Sequence, residues 1–353
     1  MSEQRTRETL MHGGVIPAMP LALTEDRHLD ERHQRALLRY YLEAGVRGVA
    51  AGVHTTQFAI RRQPALFERV LRIAAEEVDA YSGGAGEFVV KVGGVLGRRE
   101  QALQEAALLA RLGYDCALVS LSAYDGASLE EIIDHCRTIS EVIPIMGFYL
   151  QTAVGGILLP YEFWRRFAEI EHVVAVKVAP FNRYRTIDVL RAVAESGRAD
   201  EIALYTGNDD HIVLDLLSEY VFRVGERLVT VGFVGGLLGQ WAVWTKTAVE
   251  LVEAILAMKS AGDGASRDLL IYAQELTDAN AALFDAANGF AGSIAGIHEV
   301  LRRQGLFAGT WCLDPAEALS PGQGDEIDRV TTAYPHLTDD AFVHANRARW
   351  LET

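Results

Sequence analysis

Eight times in succession the chain passes from a short apolar run rich in Val, Ile and Ala to a longer amphipathic stretch. The runs fall near 14–20, 46–53, 88–95, 115–121, 143–150, 172–179, 201–207 and 228–235. The stretches that follow them fall near 29–44, 63–80, 98–112, 128–141, 160–170, 184–196, 209–219 and 240–259. Strands separated by helices pair in parallel, and eight strand–helix units is the number that closes a barrel. The expected fold class is therefore α/β, a (β/α)8 TIM barrel. The alternative is an open doubly wound sheet, which normally carries a glycine-rich turn after its first strand; residues 15–23 hold none.

Local signals support the helices. Ser128-Leu-Glu-Glu131 reads as a capping box. Gly45 and Gly113 fall where a helix should end before the next strand. After the eighth unit the pattern turns purely helical, near 265–287, 292–305, 324–333 and 338–351. The expected organisation is a flexible N-terminal arm over 1–12, the barrel over 13–260 and a helical C-terminal extension over 261–353.

Charge and cysteine content narrow the function classes. A formal charge of −15 argues against nucleic acid, which needs basic patches. The cysteines Cys116, Cys136 and Cys312 are odd in number and lack metal-ligand spacing, so reduced thiols in a cytoplasmic protein are expected. The histidines show no H-E-x-x-H or H-x-H pattern, so neither a metal nor a cofactor is expected. No apolar run reaches the length of a membrane span, so no membrane partner is expected.

The residue that points to chemistry is Lys177, in the apolar run His172-Val-Val-Ala-Val-Lys177-Val-Ala-Pro180. Lysine is almost never fully buried without a reason. Alternation places Lys177 on one face with Ala175 and Ala179, whose small side chains leave room beside it. A desolvated lysine has a lowered pKa, and its neutral amine attacks carbonyls. The plainer role is an ammonium snorkelling to the strand end or paired with a carboxylate. Lys91, in Phe88-Val-Val-Lys91-Val-Gly93, is the internal rival. Barrel chemistry sits at the C-terminal strand ends, where the chain places His54-Thr55-Thr56-Gln57, Tyr124, Tyr149, Gly207 and the Gly232-Phe-Val234-Gly-Gly236 turn. Gly207-Asn208-Asp209-Asp210 reads as a turn followed by a helix capped by an acidic residue.

These residues resemble the dihydrodipicolinate synthase / N-acetylneuraminate lyase family of class I aldolases, over roughly 14–310. The opening Gly14-Val-Ile-Pro-Ala-Met-Pro20 followed by Leu29-Asp30 is similar to the family's first strand and helix start. Ala175-Val176-Lys177-Val178 stands at the family's G-I-K-E motif, which makes Lys177 the Schiff-base lysine. Tyr149-Leu150-Gln151-Thr152 matches the Y-N-x-P motif, which makes Tyr149 the acid/base group; a gap-free count from Pro144 places Phe148 there instead. Tyr124 matches a second, proton-relaying tyrosine. The family's G-T-T-G-E carboxylate loop corresponds to Gly52-Val53-His54-Thr55-Thr56-Gln57, which suggests substrate contacts from His54, Thr55 and Thr56. Gly207 and Val234 complete the expected substrate-binding set.

The departures argue against dihydrodipicolinate synthase itself. Ala153-Val154-Gly155-Gly156 lacks the arginine those enzymes use for their second substrate, and Val178 replaces the usual glutamate. The resemblance implies a lyase, aldolase or dehydratase acting on a 2-oxo acid such as pyruvate, in a homo-oligomer, a dimer or a tetramer. Two other readings stand beside it: an inactive barrel that binds an oxo acid in a regulatory role, and an aldolase that uses Lys91.

Overall fold

The computed structural model describes residues 3–85 and 87–352. Its strands are β1 (Gly14–Pro17), β2 (Gly48–Ala51), β3 (Val90–Val95), β4 (Cys116–Val119), β5 (Ile145–Leu150), β6 (Val173–Ala179), β7 (Ala203–Thr206), β8 (Glu219–Val224), β9 (Arg227–Gly232) and β10 (Gly235–Leu238). Eight of these form one sheet in the order β1-β10-β7-β6-β5-β4-β3-β2. The two ends of that order also meet. Met19 N–H donates to Ala50 O at 2.8 Å, Arg47 N–H donates to Val15 O at 2.9 Å, and Ala18 bridges Ala50 in parallel. The architecture is the expected (β/α)8 barrel with helices added at the C-terminus.

The eighth barrel strand is not where the apolar pattern put it. The run near 228–235 is mostly β9, which pairs antiparallel with β8 in a hairpin. Gly225, at φ +61, takes the first position of the two-residue turn between them, a conformation glycine adopts without strain. The barrel strand is β10. A Cβ on Gly235 would stand 2.1 Å from Gly14 O and 2.9 Å from the Tyr205 ring. The close approach of neighbouring backbone therefore demands a glycine at 235, in a strand where the pattern suggested a turn.

The chain packs as two compact units, Met1–Gly14 with Val90–Leu237, and Val15–Val89 with Leu238–Thr353. In the first unit the expected flexible arm over 1–12 is instead a helix, Glu3–His12. Leu10 is fully buried. Arg7 donates to the carbonyls of Glu171 and Val173, both at 2.7 Å, and to Glu3. Tyr205 donates its hydroxyl to Leu10 O at 2.9 Å. An arginine fork that satisfies carbonyls at the start of β6 gives a short charged segment reason to fold.

In the second unit Asp30 caps the helix Glu31–Ala44, and Gly45 ends it at φ +98. The C-terminal helices are Arg267–Leu283, Ser293–Gln304, Gln323–Ala333 and Asp340–Trp350. Their anchor is the buried carboxylate of Asp339. It accepts from Tyr40 Oη at 2.6 Å, Gln304 Nε2 at 2.9 Å and Lys246 N–H at 3.0 Å. Trp350 packs on the Tyr40 ring at 5.5 Å. Among the described residues no helix is long and apolar enough to cross a membrane.

Candidate active site

Every residue of β6 is buried, Lys177 included at 9% exposure. Its Nζ lies 4.5 Å from the centre of the Phe148 ring. Gly207 follows β7, and a Cβ there would stand 2.7 Å from Lys177 Cε and 2.8 Å from Ala179 Cβ. The missing side chain is the space the lysine occupies. Burial pushes the Lys177 amine down to about 8, against the pull of the Asp209 carboxylate. About a tenth of such an amine is neutral at pH 7, against well under a thousandth for an ordinary lysine.

Lys91 is buried too, but at the other end of its strand. Its Nζ lies 3.7 Å from where a Cβ on Gly113 would stand, in the turn before β4. Its own N–H donates to the Asp115 carboxylate at 2.8 Å. Lys91 thus reaches the N-terminal side of the strands, whereas Lys177 reaches the C-terminal side, where barrels carry chemistry.

The structure turns Tyr149 away from Lys177. Phe148 pairs with Lys177, and Tyr149 pairs with Val178 on the opposite face. The Tyr149 ring packs on Trp164 at 5.3 Å, and its hydroxyl accepts from Leu159 N–H at 3.3 Å. The cause is a bulge. Ile145 pairs with Val173, a separation of 173 − 145 = 28, but Phe148 pairs with Lys177, a separation of 177 − 148 = 29. One extra residue on β6 moves every later pairing by one and exchanges the faces. Tyr124 is likewise engaged elsewhere. Its hydroxyl meets His135 Nδ1 at 2.9 Å and its ring lies 4.7 Å beneath the Arg98 guanidinium. Burial, with Arg99 and Arg98 nearby, pushes His135 down to about 4.

A buried carboxylate that the sequence did not single out organises the loop after β7. Asp215 is fully buried and accepts from Thr206 Oγ1 at 2.6 Å, Asn208 Nδ2 at 2.9 Å and Arg183 Nη1 at 2.6 Å. Asn208 Oδ1 in turn accepts from the N–H of Phe181, whose φ is +49. The expected acidic cap is absent. His211 occupies the N-cap of the helix Ile212–Leu217, without a side-chain bond. An aspartate inside a short helix carries no sequence signature of its own, so Asp215 was not legible.

In the second unit Thr55 and Thr56 are buried and brace their loop against the end of β1. Thr55 Oγ1 donates to Ala18 O at 2.8 Å, and Thr56 Oγ1 donates to Met19 O at 2.6 Å. A carboxylate needs donors, and these hydroxyl protons go to backbone carbonyls. His54 lines a cleft of roughly 490 Å³ together with Gln57, Phe58, Arg62, Asp314 and Glu317. Gln57, at φ +66, ties the loop to the C-terminal segment by accepting Leu313 N–H at 2.6 Å. Val234 works through its backbone, donating to Leu204 O at 3.0 Å and accepting from Gly14 N–H at 3.1 Å. No group of three or more His, Cys, Asp or Glu among the described residues is placed to hold a metal ion.

The chain is similar to known proteins over most of its length. N-acetylneuraminate lyase from Citrobacter koseri is 27% identical over 208 residues, covering 58% of this chain and 65% of that protein. The match thus spans just under two thirds of that relative's length. N-acetylneuraminate lyase 2 from Escherichia coli O6:H1 is 23% identical over 330 residues, covering 93% of this chain and 95% of its own. Among solved structures, a prophage protein of Escherichia coli K12 belonging to the dihydrodipicolinic acid synthase family, in complex with pyruvate, superposes with a TM-score of 0.73. It is 19% identical, and the match covers 92% of this chain and 98% of that one. Residues 11–333 match the dihydrodipicolinate synthetase family, and on that match the chain belongs to this family.

Proposed function

We propose that this protein is a Schiff-base-forming lyase or aldolase acting on a 2-oxo acid such as pyruvate or a derivative, with Lys177 as the nucleophile. The observation that carries the reading is the Lys177 amine itself, buried on an apolar ring and brought to about 8. A primary amine partly neutral near neutral pH attacks the ketone. Loss of water gives an iminium, which draws electrons from the adjacent carbon–carbon bond and so permits aldol cleavage or addition. Relatives named as N-acetylneuraminate lyases and a structural neighbour holding pyruvate support the substrate class.

The test is a lyase assay across 4-hydroxy-2-oxo acids, with released 2-oxo acid measured by a coupled reduction. Turnover that disappears in Lys177→Arg supports the reading, because the guanidinium stays protonated. Turnover that survives in Lys177→Arg overturns it. One observation favours a second reading, an inactive barrel that binds an oxo acid. Phe148, not a tyrosine, lies against the lysine. That reading predicts pyruvate-dependent thermal stabilisation with no turnover of any member of the panel.

A further inference from the structure

Between the helix Ile212–Leu217 and the last barrel strand the chain carries the hairpin β8–β9, a two-stranded sheet of its own. The hairpin lies against the helix Arg183–Glu195. Along β8 the half-buried Tyr220, Phe222 and Val224 alternate with the exposed Glu219, Val221 and Arg223. Exposure reaches 57% at Val221 and 63% at Leu228, which pairs with Arg223. A two-stranded ribbon is marginal by itself, and an open strand edge is a template for another strand.

The turn fixes which backbone groups of β8 are open. Val224 pairs with Arg227 across the two-residue turn Gly225-Glu226. In such a hairpin the pair next to the turn exchanges both backbone bonds, and bonded pairs recur at every second residue. They fall at Phe222–Val229 and Tyr220–Val231. The N–H and C=O groups of Glu219, Val221 and Arg223 therefore point away from β9. No other strand takes them up among the described residues. Those three residues read acid, apolar, base, mirrored about Val221. Charges on an edge commonly keep strands apart, because like charges set opposite each other repel. Here the mirrored positions carry opposite signs, and the effect of the charge is reversed. An antiparallel copy centred on Val221 sets Glu219 opposite Arg223 at both ends.

We propose that the outer edge of β8 is a docking surface for a second copy of this chain. The two β8 strands pair antiparallel about a two-fold axis at Val221 and join the hairpins into one four-stranded sheet. The contact is isologous, as in most closed pairs of identical chains. The open backbone groups of Glu219, Val221 and Arg223 are taken up by the same groups of the copy. The exposed Val221 side chain meets its own counterpart, and each Glu219 meets an Arg223 across the ladder. The charges also specify the register. Pairing centred on Glu219 or on Arg223 would set like charges opposite each other, which disfavours both. This self-complementarity selects a second copy over an unrelated strand as the occupant.

Sedimentation velocity over a concentration series reads the assembly, with the melting temperature as the check on folding. The wild type is expected to reach at least twice the mass of one chain. Arg223→Glu and Glu219→Arg each set like charges opposite each other, and each should halve that mass with the melting temperature unchanged. The double variant Glu219→Arg/Arg223→Glu should restore it, and so should an equal mixture of the two single variants. Val221→Pro removes the central donor without touching the ladder to β9 and should also halve the mass. Val221→Cys should form a disulfide-linked pair of chains on mild oxidation, since opposed residues of a ladder lie within disulfide reach and Cys116, Cys136 and Cys312 are buried. Leu228→Cys, on the other strand, should not. A wild type that stays monomeric at every concentration overturns the proposal. So does a folded Arg223→Glu that keeps the wild-type mass, a double variant that stays dissociated, or a Val221→Cys that does not cross-link.

Discussion

At the scale of single residues, the candidate site centres on a lysine whose protonation burial shifts. Desolvation penalises the ammonium, and the Asp209 carboxylate only partly offsets it. The folded-state pKa lies below the unfolded one, so the unfolded chain binds more protons between about pH 8 and 10.5. The cost to stability is complete below the lower value and fades as pH rises towards the higher one. Gly207 makes the shift possible by leaving the lysine its space. Gly207→Ala would drive a methyl into Lys177 Cε and Ala179 Cβ. We expect a loss of about 1–3 kcal/mol, as for other overpacked cores, read by urea denaturation. Adduct formation at Lys177 should slow at least about tenfold. Lys177 was legible because a charge inside an apolar run is conspicuous. Counting left Tyr149 and Phe148 both open, and one bulged residue on β6 sets Phe148 opposite Lys177.

At the scale of elements, the loop after β7 is held by one buried carboxylate. Asp215 binds Thr206, Asn208 and Arg183, and removing its charge leaves Arg183 and two buried donors poorly matched. Burial raises the Asp215 carboxyl, with Arg183 the leading group pulling the other way. Asp215→Asn is expected to lower kcat at least about tenfold with little change in KM. A pure folding role would change the melting temperature and leave the kcat of the folded fraction alone. Element positions were legible wherever an apolar strand alternated with an amphipathic helix. The reading failed at the β8–β9 hairpin, where the apolar run near 228–235 is mostly a largely exposed antiparallel strand rather than a strand of the barrel. It failed again at Glu3–His12, where tertiary bonds from Arg7 outweigh a polar composition.

At the scale of the molecule, the C-terminal helices belong to the core of their unit. Trp350 is buried against Tyr40 and Phe342, at ring distances of 5.5 and 5.4 Å. Trp350→Ala should cost about 3–5 kcal/mol, measured by urea denaturation. A cost below about 1 kcal/mol would show that the helix Asp340–Trp350 is only loosely attached. The barrel was legible from the eightfold rhythm, which is a property of the whole chain. The anchoring of the extension was not, because Tyr40, Gln304 and Asp339 are far apart in sequence and meet only on folding.

The central claim, that Lys177 is an amine placed to bind a carbonyl, is tested most directly by borohydride trapping. The protein is incubated with pyruvate and other 2-oxo acids across a pH series, reduced, digested and mapped by mass spectrometry. We predict a reduced adduct on Lys177 whose initial rate of formation rises with pH through a midpoint near 8. An adduct on Lys91, or no adduct from any oxo acid at any pH, would contradict the account.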